Sequence, residues 1–488
     1  MARTKIHLVS VAREALASGV SATAENFRLC VPKFSKWLKS SEGKRFEARG
    51  KGYDDGVYLT SALLRKFLPR GYTHFCFSKD GEEVNVVLRG FFKFTGLTVA
   101  DEDEESNVTA EAHSFLFHGY NMEDAQRFCV TTKSNGENGK YTFRKIFGDW
   151  YAFAGSKNTG NTWKLGADVS SLYPIPDLDP IAGVGPRIIS YVDRTVSEMP
   201  DAARESFLEM VNQSQVTVMV EQNEERHEHI FPIQKSWVDH VAILTSEGFP
   251  WSQHEAFEVF DRYGLRRVAL EICTDMSKLS SSMDDIRNST DTEGAVLYLE
   301  RLDGVAVGLI KVKSDHYVIA RRTREILRGL VKASEGRKPL ELELEKTKGK
   351  LREGMKTLTH VAGCAEHHQE WSKRAEDFAS SWVGTFQASD DVTRRALVTE
   401  FHMKFGSLYH RFLASQKVLP LSDFSLEVAR AAAPRRGGPL PSEEDPDSPQ
   451  HGPSDGESAG EGKGQGKGKG KGKGKSKGKS WWRRPRRS

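Results

Sequence analysis

Three short segments carry side chains whose types and spacing suit phosphate chemistry. In Arg127-Phe-Cys-Val-Thr-Thr-Lys133-Ser-Asn135-Gly136-Glu137-Asn-Gly-Lys-Tyr-Thr-Phe143, an apolar run ends in a lysine, a polar glycine-rich turn follows, and a second run returns. The pattern predicts two strands joined by a turn, with Lys133 at a strand end where backbone can approach a ligand. In Ala306-Val-Gly-Leu-Ile-Lys311-Val-Lys313, two lysines two residues apart share one face of a strand and form a double positive charge suited to phosphate. In Thr292-Glu293-Gly294-Ala295-Val296, a carboxylate abuts a glycine at the start of a further strand. Each segment alone has a plain structural reading, since lysines beside hairpin turns are common and strand lysines guard sheet edges.

In this order along the chain, Lys-x-Asn-Gly, Glu-Gly-x-Val and Lys-x-Lys resemble three motifs of the covalent nucleotidyltransferases, which include RNA ligases, DNA ligases and mRNA capping enzymes. Further segments are similar to the RNA ligase branch, typified by phage RNA ligase and by the sealing domain of fungal and plant tRNA ligases. Gly155-Ser156-Lys157-Asn158-Thr159-Gly160 resembles the Ser-Lys element that follows the nucleophile, and Val220-Glu221-Gln-Asn-Glu224-Glu225-Arg-His-Glu228-His229 resembles the branch's third motif. Tyr317, Arg321, Arg324 and Glu325 continue the Lys311-x-Lys313 motif, while Arg70-Gly-Tyr and Arg89-Gly-Phe-Phe-Lys93-Phe resemble two N-terminal Arg-Gly elements. Lys93 is followed by Phe94-Thr95-Gly96, where that branch continues Lys-Phe-Phe-Asn. The resemblance spans roughly residues 65 to 325.

The resemblance implies an ATP-dependent RNA ligase with an antiparallel-sheet, ATP-grasp-like fold, in which Lys133 becomes covalently joined to AMP. Lys133, Glu293, Lys311 and Lys313 would be the catalytic set. Asn135 and Gly136 would line the ATP site; Arg70, Lys93 and Lys157 would meet ATP phosphates or RNA ends. Glu293 would bind Mg²⁺ (or Mn²⁺), Glu221 would bind the ATP ribose or the metal, and the segment Trp237 to Leu244 is where an adenine-stacking strand would lie. Ligation needs such activation because a 5′-phosphate monoester carries no adequate leaving group for attack by a 3′-hydroxyl. A lysine with an ordinary pKa of about 10.4 is protonated at neutral pH, so its surroundings must favour the neutral amine. Nearby Lys311, Lys313 and a divalent metal would do so.

The elements that must position these groups divide the chain. Short runs rich in Val, Ile, Tyr and Phe, among them His74 to Phe77, Val84 to Leu88, Trp150 to Ala154, Val216 to Val220 and Val296 to Leu299, predict antiparallel strands. Helical stretches are predicted over Asp201 to Val211 and Glu255 to Ser277, giving an α+β nucleotidyltransferase domain over residues 1–325. Helical spacing from Met355 to Phe412, with Ser389 or Asp390 as a cap, predicts an all-helical domain over residues 326–430. Residues 431–488 are too rich in Pro, Gly, Ser and charge to bury a core and are expected to be a disordered basic tail.

The net charge of +4 hides an asymmetry: Glu461 to Ser488 holds eight Lys and four Arg against one Glu, a charge of +11, which leaves −7 for the rest. The tail could hold RNA through phosphate contacts, with Trp481 and Trp482 stacking on bases, or serve for solubility or nuclear import. Five scattered cysteines form no CxxC pair, and no apolar run is long enough to span a bilayer or act as a secretory leader. A soluble monomer in nucleus or cytoplasm, without a membrane partner, is the expectation. His227 with His229, and Cys364 with His367 and His368, lack the spaced pairs of a zinc site and are read as solvated or packing histidines. Lys79-Asp80-Gly81 is read as a plain turn.

DNA ligases and capping enzymes share the core motifs but normally attach an OB domain, so the helical pattern after Lys313 favours RNA ligase. A catalytically inactive RNA-binding protein with a ligase-like fold is opposed by retention of Lys133, Glu293, Lys311 and Lys313. The chain has no G-x-x-x-x-G-K-[ST] loop and no His-x-Thr pair, which predicts a sealing enzyme that receives ends from separate end-healing enzymes. Removing the tail from Glu461 should weaken RNA affinity more at low salt than at high, because phosphate contacts are screened. RNA binding measured across a salt series checks this, and an unchanged salt dependence excludes the tail as a contact.

Overall fold

The computed structural model describes residues 21–26, 69, 71–96, 115–117, 119–157, 159–176, 183–290, 292–336, 339–362 and 368–416. Every described residue lies within the unit Met1–Arg435. Arg70, Trp481, Trp482 and the tail expected to be disordered fall outside the described residues.

The strand pattern builds three antiparallel sheets. Strands β1 (Ser21–Asn26), β2 (Thr73–Lys79) and β3 (Glu82–Leu88) form the first, with Asp80 and Gly81 turning between β2 and β3 at φ 51° and 86°. Then follow β4 (Arg127–Thr132), β5 (Glu137–Ile146), β6 (Asp149–Ser156), β7 (Asn161–Lys164), helices α1 (Val169–Leu172), α2 (Val184–Glu198) and α3 (Asp201–Gln213), and strands β8 (Thr217–Asn223) and β9 (Trp237–Leu244). After α4 (Gln253–Arg262) come β10 (Leu270–Cys273), α5 (Leu279–Asn288), β11 (Gly294–Glu300) and β12 (Ala306–Lys313). The second sheet has the order β10-β4-β11-β12 and the third β7-β6-β5-β8-β9.

Side-chain alternation decides what each sheet buries. Cys129, Tyr298 and Leu309 of the second sheet pack with Met219, Ala242 and Leu244 of the third, so the two sheets meet face to face over one end of their strands. On the third sheet's other face, α2, α3 and α4 bury Ile188, Val192, Phe207, Val211, Phe257 and Phe260. Helix α5 covers the second sheet's other face through Leu279 and Met283. Phe75 and Phe77 of the first sheet pack on Tyr151 and Phe153, with Phe75 and Phe153 rings 4.9 Å apart.

The expected helix from Glu255 to Ser277 is two elements. Helix α4 stops at Arg262, Gly264 takes a left-handed φ of 64°, and Leu270–Cys273 pairs with β4 instead. Helical periodicity continued past the glycine by chance, and the sheet edge offered by β4 outweighed it.

After β12 the structure is helical through α6 (Asp315–Ser334), α7 (Leu340–Ala362), α8 (His368–Ala388), α9 (Asp391–Met403) and α10 (Phe405–Ser415). Asp390 caps α9, its side chain accepting from the Thr393 N–H. These helices bury Trp382, Phe401, Phe405 and Tyr409 together with Ile230 and Phe231 from the β8–β9 connection. Glu228 in that connection is buried and accepts from the Ser407 N–H and hydroxyl, both at 2.7 Å, and from the Ile233 N–H at 3.2 Å. Its own N–H donates to the Met403 carbonyl at 2.7 Å. Glu228 is thus a docking residue between sheet and helices. Glu228→Ala strands these donors and should cost about 3 kcal/mol, read as a lowered denaturant midpoint with an unchanged slope.

Candidate active site

The positions that make the inter-sheet core continue past it as polar residues. Along the same faces, Cys129 gives way to Thr131 and Lys133, Tyr298 to Val296 and Gly294, Leu309 to Lys311 and Lys313, and Met219 to Glu221 and Asn223. The sheets therefore close over apolar side chains at one end and face each other across charged ones at the other.

Register sets the spacing. Val296 pairs with Thr131 on one side and Lys311 on the other, Gly294 pairs with Lys313, and the Lys133 N–H extends the ladder by donating to the Gly294 carbonyl at 2.9 Å. Lys133 and Lys313 thus flank Gly294 in one cross-strand row, roughly 10 Å apart at the backbone. No side chain at position 294 fills the interval. None could, because φ is 127° and a Cβ would lie 2.0 Å from the Val312 carbonyl oxygen.

Lys133 Nζ pairs with Glu293 Oε1 at 2.8 Å, with 23% and 7% of the two side chains exposed. Ser314, which caps α6 by accepting from the Tyr317 N–H, also donates its backbone N–H to the Glu293 carbonyl at 3.1 Å. The cap thereby fixes the β11 entry beside the β12 exit. Buried Lys313 lies 5.6 Å from the Tyr317 ring centroid, a cation–π contact. Half-buried Lys311 follows on the same face, and its N–H donates to the Thr95 carbonyl at 3.4 Å, which brings the Lys93 segment against β12.

Glu221 approaches from the opposite sheet. Burial pushes its carboxyl up to about 8; Lys133 opposes that shift, while Glu293 and Glu137 reinforce it. Asn138 donates to Glu221 Oε2 at 3.4 Å. Lys133, Glu293 and Glu221 are therefore electrostatic neighbours across the opening.

The turn after Lys133 is held on every residue. Ser134 Oγ donates to Asp239 at 3.0 Å, and Asp239 also accepts from Asn223, Trp237 and Arg266 at 3.3, 2.7 and 2.8 Å. With its amide oxygen turned to the chain, Asn135 accepts from the Phe231 and Ile230 N–H groups at 3.1 and 3.3 Å. A Cβ on Gly136 would stand 2.3 Å from the Gln222 carbonyl oxygen, so this position too must be glycine.

Lys157 directly follows β6, near a group that sequence reading missed. Lys140 is fully buried and donates to the Ser156 and Lys157 carbonyls at 3.1 and 3.3 Å. Gly71 sits against the same carbonyl, where a Cβ would lie 2.2 Å from the Lys157 oxygen. The Arg-Gly and Ser-Lys elements are thus brought side by side. Asp239, Asn223 and Lys140 were missed because no spacing rule marks them, and the bulge in the β8–β9 pair breaks the alternation that would have placed Asp239.

The donor set fits a divalent cation. Glu221 and Glu293, electrostatic neighbours from opposite sheets, offer hard oxygen ligands, and burial, which pushes the Glu221 carboxyl up to about 8, is a penalty on its charged form that a bound cation would offset. No protein-family model matches the chain, and none of the curated proteins matches it. Among solved structures it is similar to one form of an archaeal ATP-dependent RNA ligase, at 14% identity and a TM-score of 0.36 over 72% of this chain and 84% of that one. A second form of the archaeal ligase gives 14% and 0.36 over 70% and 80%, and an RNA ligase from Naegleria gruberi with pyrophosphate gives 14% and 0.27 over 40% and 51%. Likeness this distant carries no functional argument, and the reading below rests on the side chains.

Because Glu221 has a higher pKa folded than its ordinary 4.5, the folded state binds more protons between about 4.5 and 8. Its contribution therefore makes metal-free protein less stable as pH rises through that window. Thermal midpoints measured from pH 4.5 to 8.5 should fall less in Glu221→Gln than in wild type.

Proposed function

We propose that the chain is an ATP-dependent RNA ligase that joins 5′-phosphate and 3′-hydroxyl ends, with Lys133 as the nucleophile. The observation that carries this reading is the row Lys133–Gly294–Lys313 with Glu293 on the Lys133 amine at 2.8 Å. It supplies an amine, a second cation and a carboxylate around a position that carries no side chain, with Lys311 as a third cation on the same strand face, which is what attack on a phosphate anhydride needs.

In the first step Lys133, an ammonium paired with Glu293 in the nucleotide-free protein, gives up one proton, attacks the ATP α-phosphorus as the neutral amine, and releases a second proton to solvent as the phosphoramidate bond forms and the bond to pyrophosphate breaks. Lys311 and Lys313 disfavour a third positive charge on Lys133 and offset the charge that builds on the phosphate oxygens. Glu293, 2.8 Å from the amine, orients it. Glu221 and Glu293 would hold Mg²⁺ or Mn²⁺, which supplies further charge neutralisation at the phosphates. AMP then passes to the RNA 5′-phosphate oxygen, and attack by the 3′-hydroxyl on that phosphorus expels AMP and seals the strand. Asn135 and Gly136 shape the turn beside the nucleophile, and Lys157, Lys93 and Arg70 are assigned to ATP phosphates or RNA ends. RNA repair or tRNA splicing, with ends prepared by separate enzymes, is the proposed setting.

Incubation with α-labelled ATP and Mg²⁺, followed by denaturing electrophoresis, tests the reading. Wild type should retain label and Lys133→Ala none. Glu293→Ala and Lys313→Ala should each lower labelling by at least about 100-fold, as for loss of one electrostatic partner of a transition state. Label from GTP instead would indicate capping chemistry, and no label would indicate an RNA-binding protein without catalysis.

A further inference from the structure

Beside the turn that follows Lys133 lies a second group of metal-ligating side chains, one the nucleotide chemistry does not use. Glu137 opens β5, and His227 and His229 lie ninety residues on, in the β8–β9 connection. One ligand atom from each lies within 4.8 Å of the other two. His229 Nε2 is 2.9 Å from Glu137 Oε1, and the two imidazole rings are 5.3 Å apart. All three side chains are half-buried.

His227 Nδ1 is buried and meets no hydrogen-bond partner among the described residues. A buried imidazole nitrogen left without a partner is costly, and its environment normally supplies one. The nearby guanidiniums are each paired with a carboxylate, Arg187 with Glu224 at 3.4 Å and Arg324 with Glu325 at 3.1 Å, and Lys157 lies within electrostatic reach of Glu137. Arg324 also donates to the His229 carbonyl at 2.8 Å, fixing the backbone from which that imidazole projects.

We infer that Glu137, His227 and His229 form a binding site for a divalent transition metal ion of the zinc class, separate from the ion expected at Glu221 and Glu293. Two imidazoles and one carboxylate favour zinc, cobalt or nickel over magnesium and manganese, which prefer oxygen ligands. Tetrahedral ligation at about 2.0–2.1 Å puts ligand atoms roughly 3.3 Å apart, so modest side-chain torsions would close the site. The ion would clamp the 224–231 connection to β5. That connection already grips Asn135 through the Ile230 and Phe231 N–H groups and anchors the helices through Glu228. The three residues therefore act as positioning residues for the turn beside Lys133, and the site stands whether or not the ligase reading does.

Cobalt serves as the probe. Full-length protein stripped with chelator and titrated with Co²⁺ should show visible d–d absorption that saturates stoichiometrically, is displaced by Zn²⁺ and survives millimolar Mg²⁺. Glu293→Ala should bind as wild type does. His227→Ala and His229→Ala, confirmed as folded by circular dichroism, should lose the signal. Glu137→Gln should weaken it by more than the roughly 10–100-fold that outer-sphere partners cost. No saturable absorption in wild type, unchanged binding in the histidine variants, or loss in Glu293→Ala would each overturn the assignment.

Discussion

Met219, Tyr298 and Leu309 let the two sheets close at one end, whereas at the other Lys313 and Glu293 are buried beside half-buried Lys133 and Glu221, and buried charges are costly unless something compensates them. The contrast is a consequence of strand alternation: the same inward positions are apolar at one end and ionic at the other. Compensation within the protein is incomplete. Lys133 and Glu293 neutralise one another, Lys313 is sheltered by an aromatic ring, and Glu221 retains its proton into the neutral range. A nucleotide triphosphate with a divalent ion would balance what remains, since it brings negative charge to the lysines and positive charge to the carboxylates.

Glycine does as much here as the charged residues. A Cβ at Gly294 or Gly136 would run into backbone oxygen, so both positions exclude other residues for reasons of close packing before chemistry is considered. Each glycine is set by backbone packed against it, β12 at Gly294 and β8 at Gly136, and not by the chemistry of the acid or amide that precedes it.

Much of this was legible in the sequence because the relevant signals are short. Strand β4 was bounded by its own residues Arg127 and Thr132, and Lys311 and Lys313 had to share a face by the period of two. Asp239 was not legible: it holds Ser134 only because a bulge between Met219 and Val220 shifts the β8–β9 register and turns it inward. Lys140 was hidden because a lysine in a strand is normally a surface group, and nothing in its neighbours showed that two carbonyls would receive it. Nor did the sequence show that His229 would meet Glu137 at 2.9 Å, since the carboxylate lies ninety-two residues earlier. Strand β10 was lost to a helical pattern that ran across Gly264.

The chain leaves the second sheet at Thr132 and enters the third at Glu137, with only residues 133–136 between. Those four residues tether the sheets at the site itself. Lys133, hydrogen-bonded to Gly294 and so to the β12 row, is held rigidly with Lys311 and Lys313, while Glu221 belongs to the sheet on the far side of the tether.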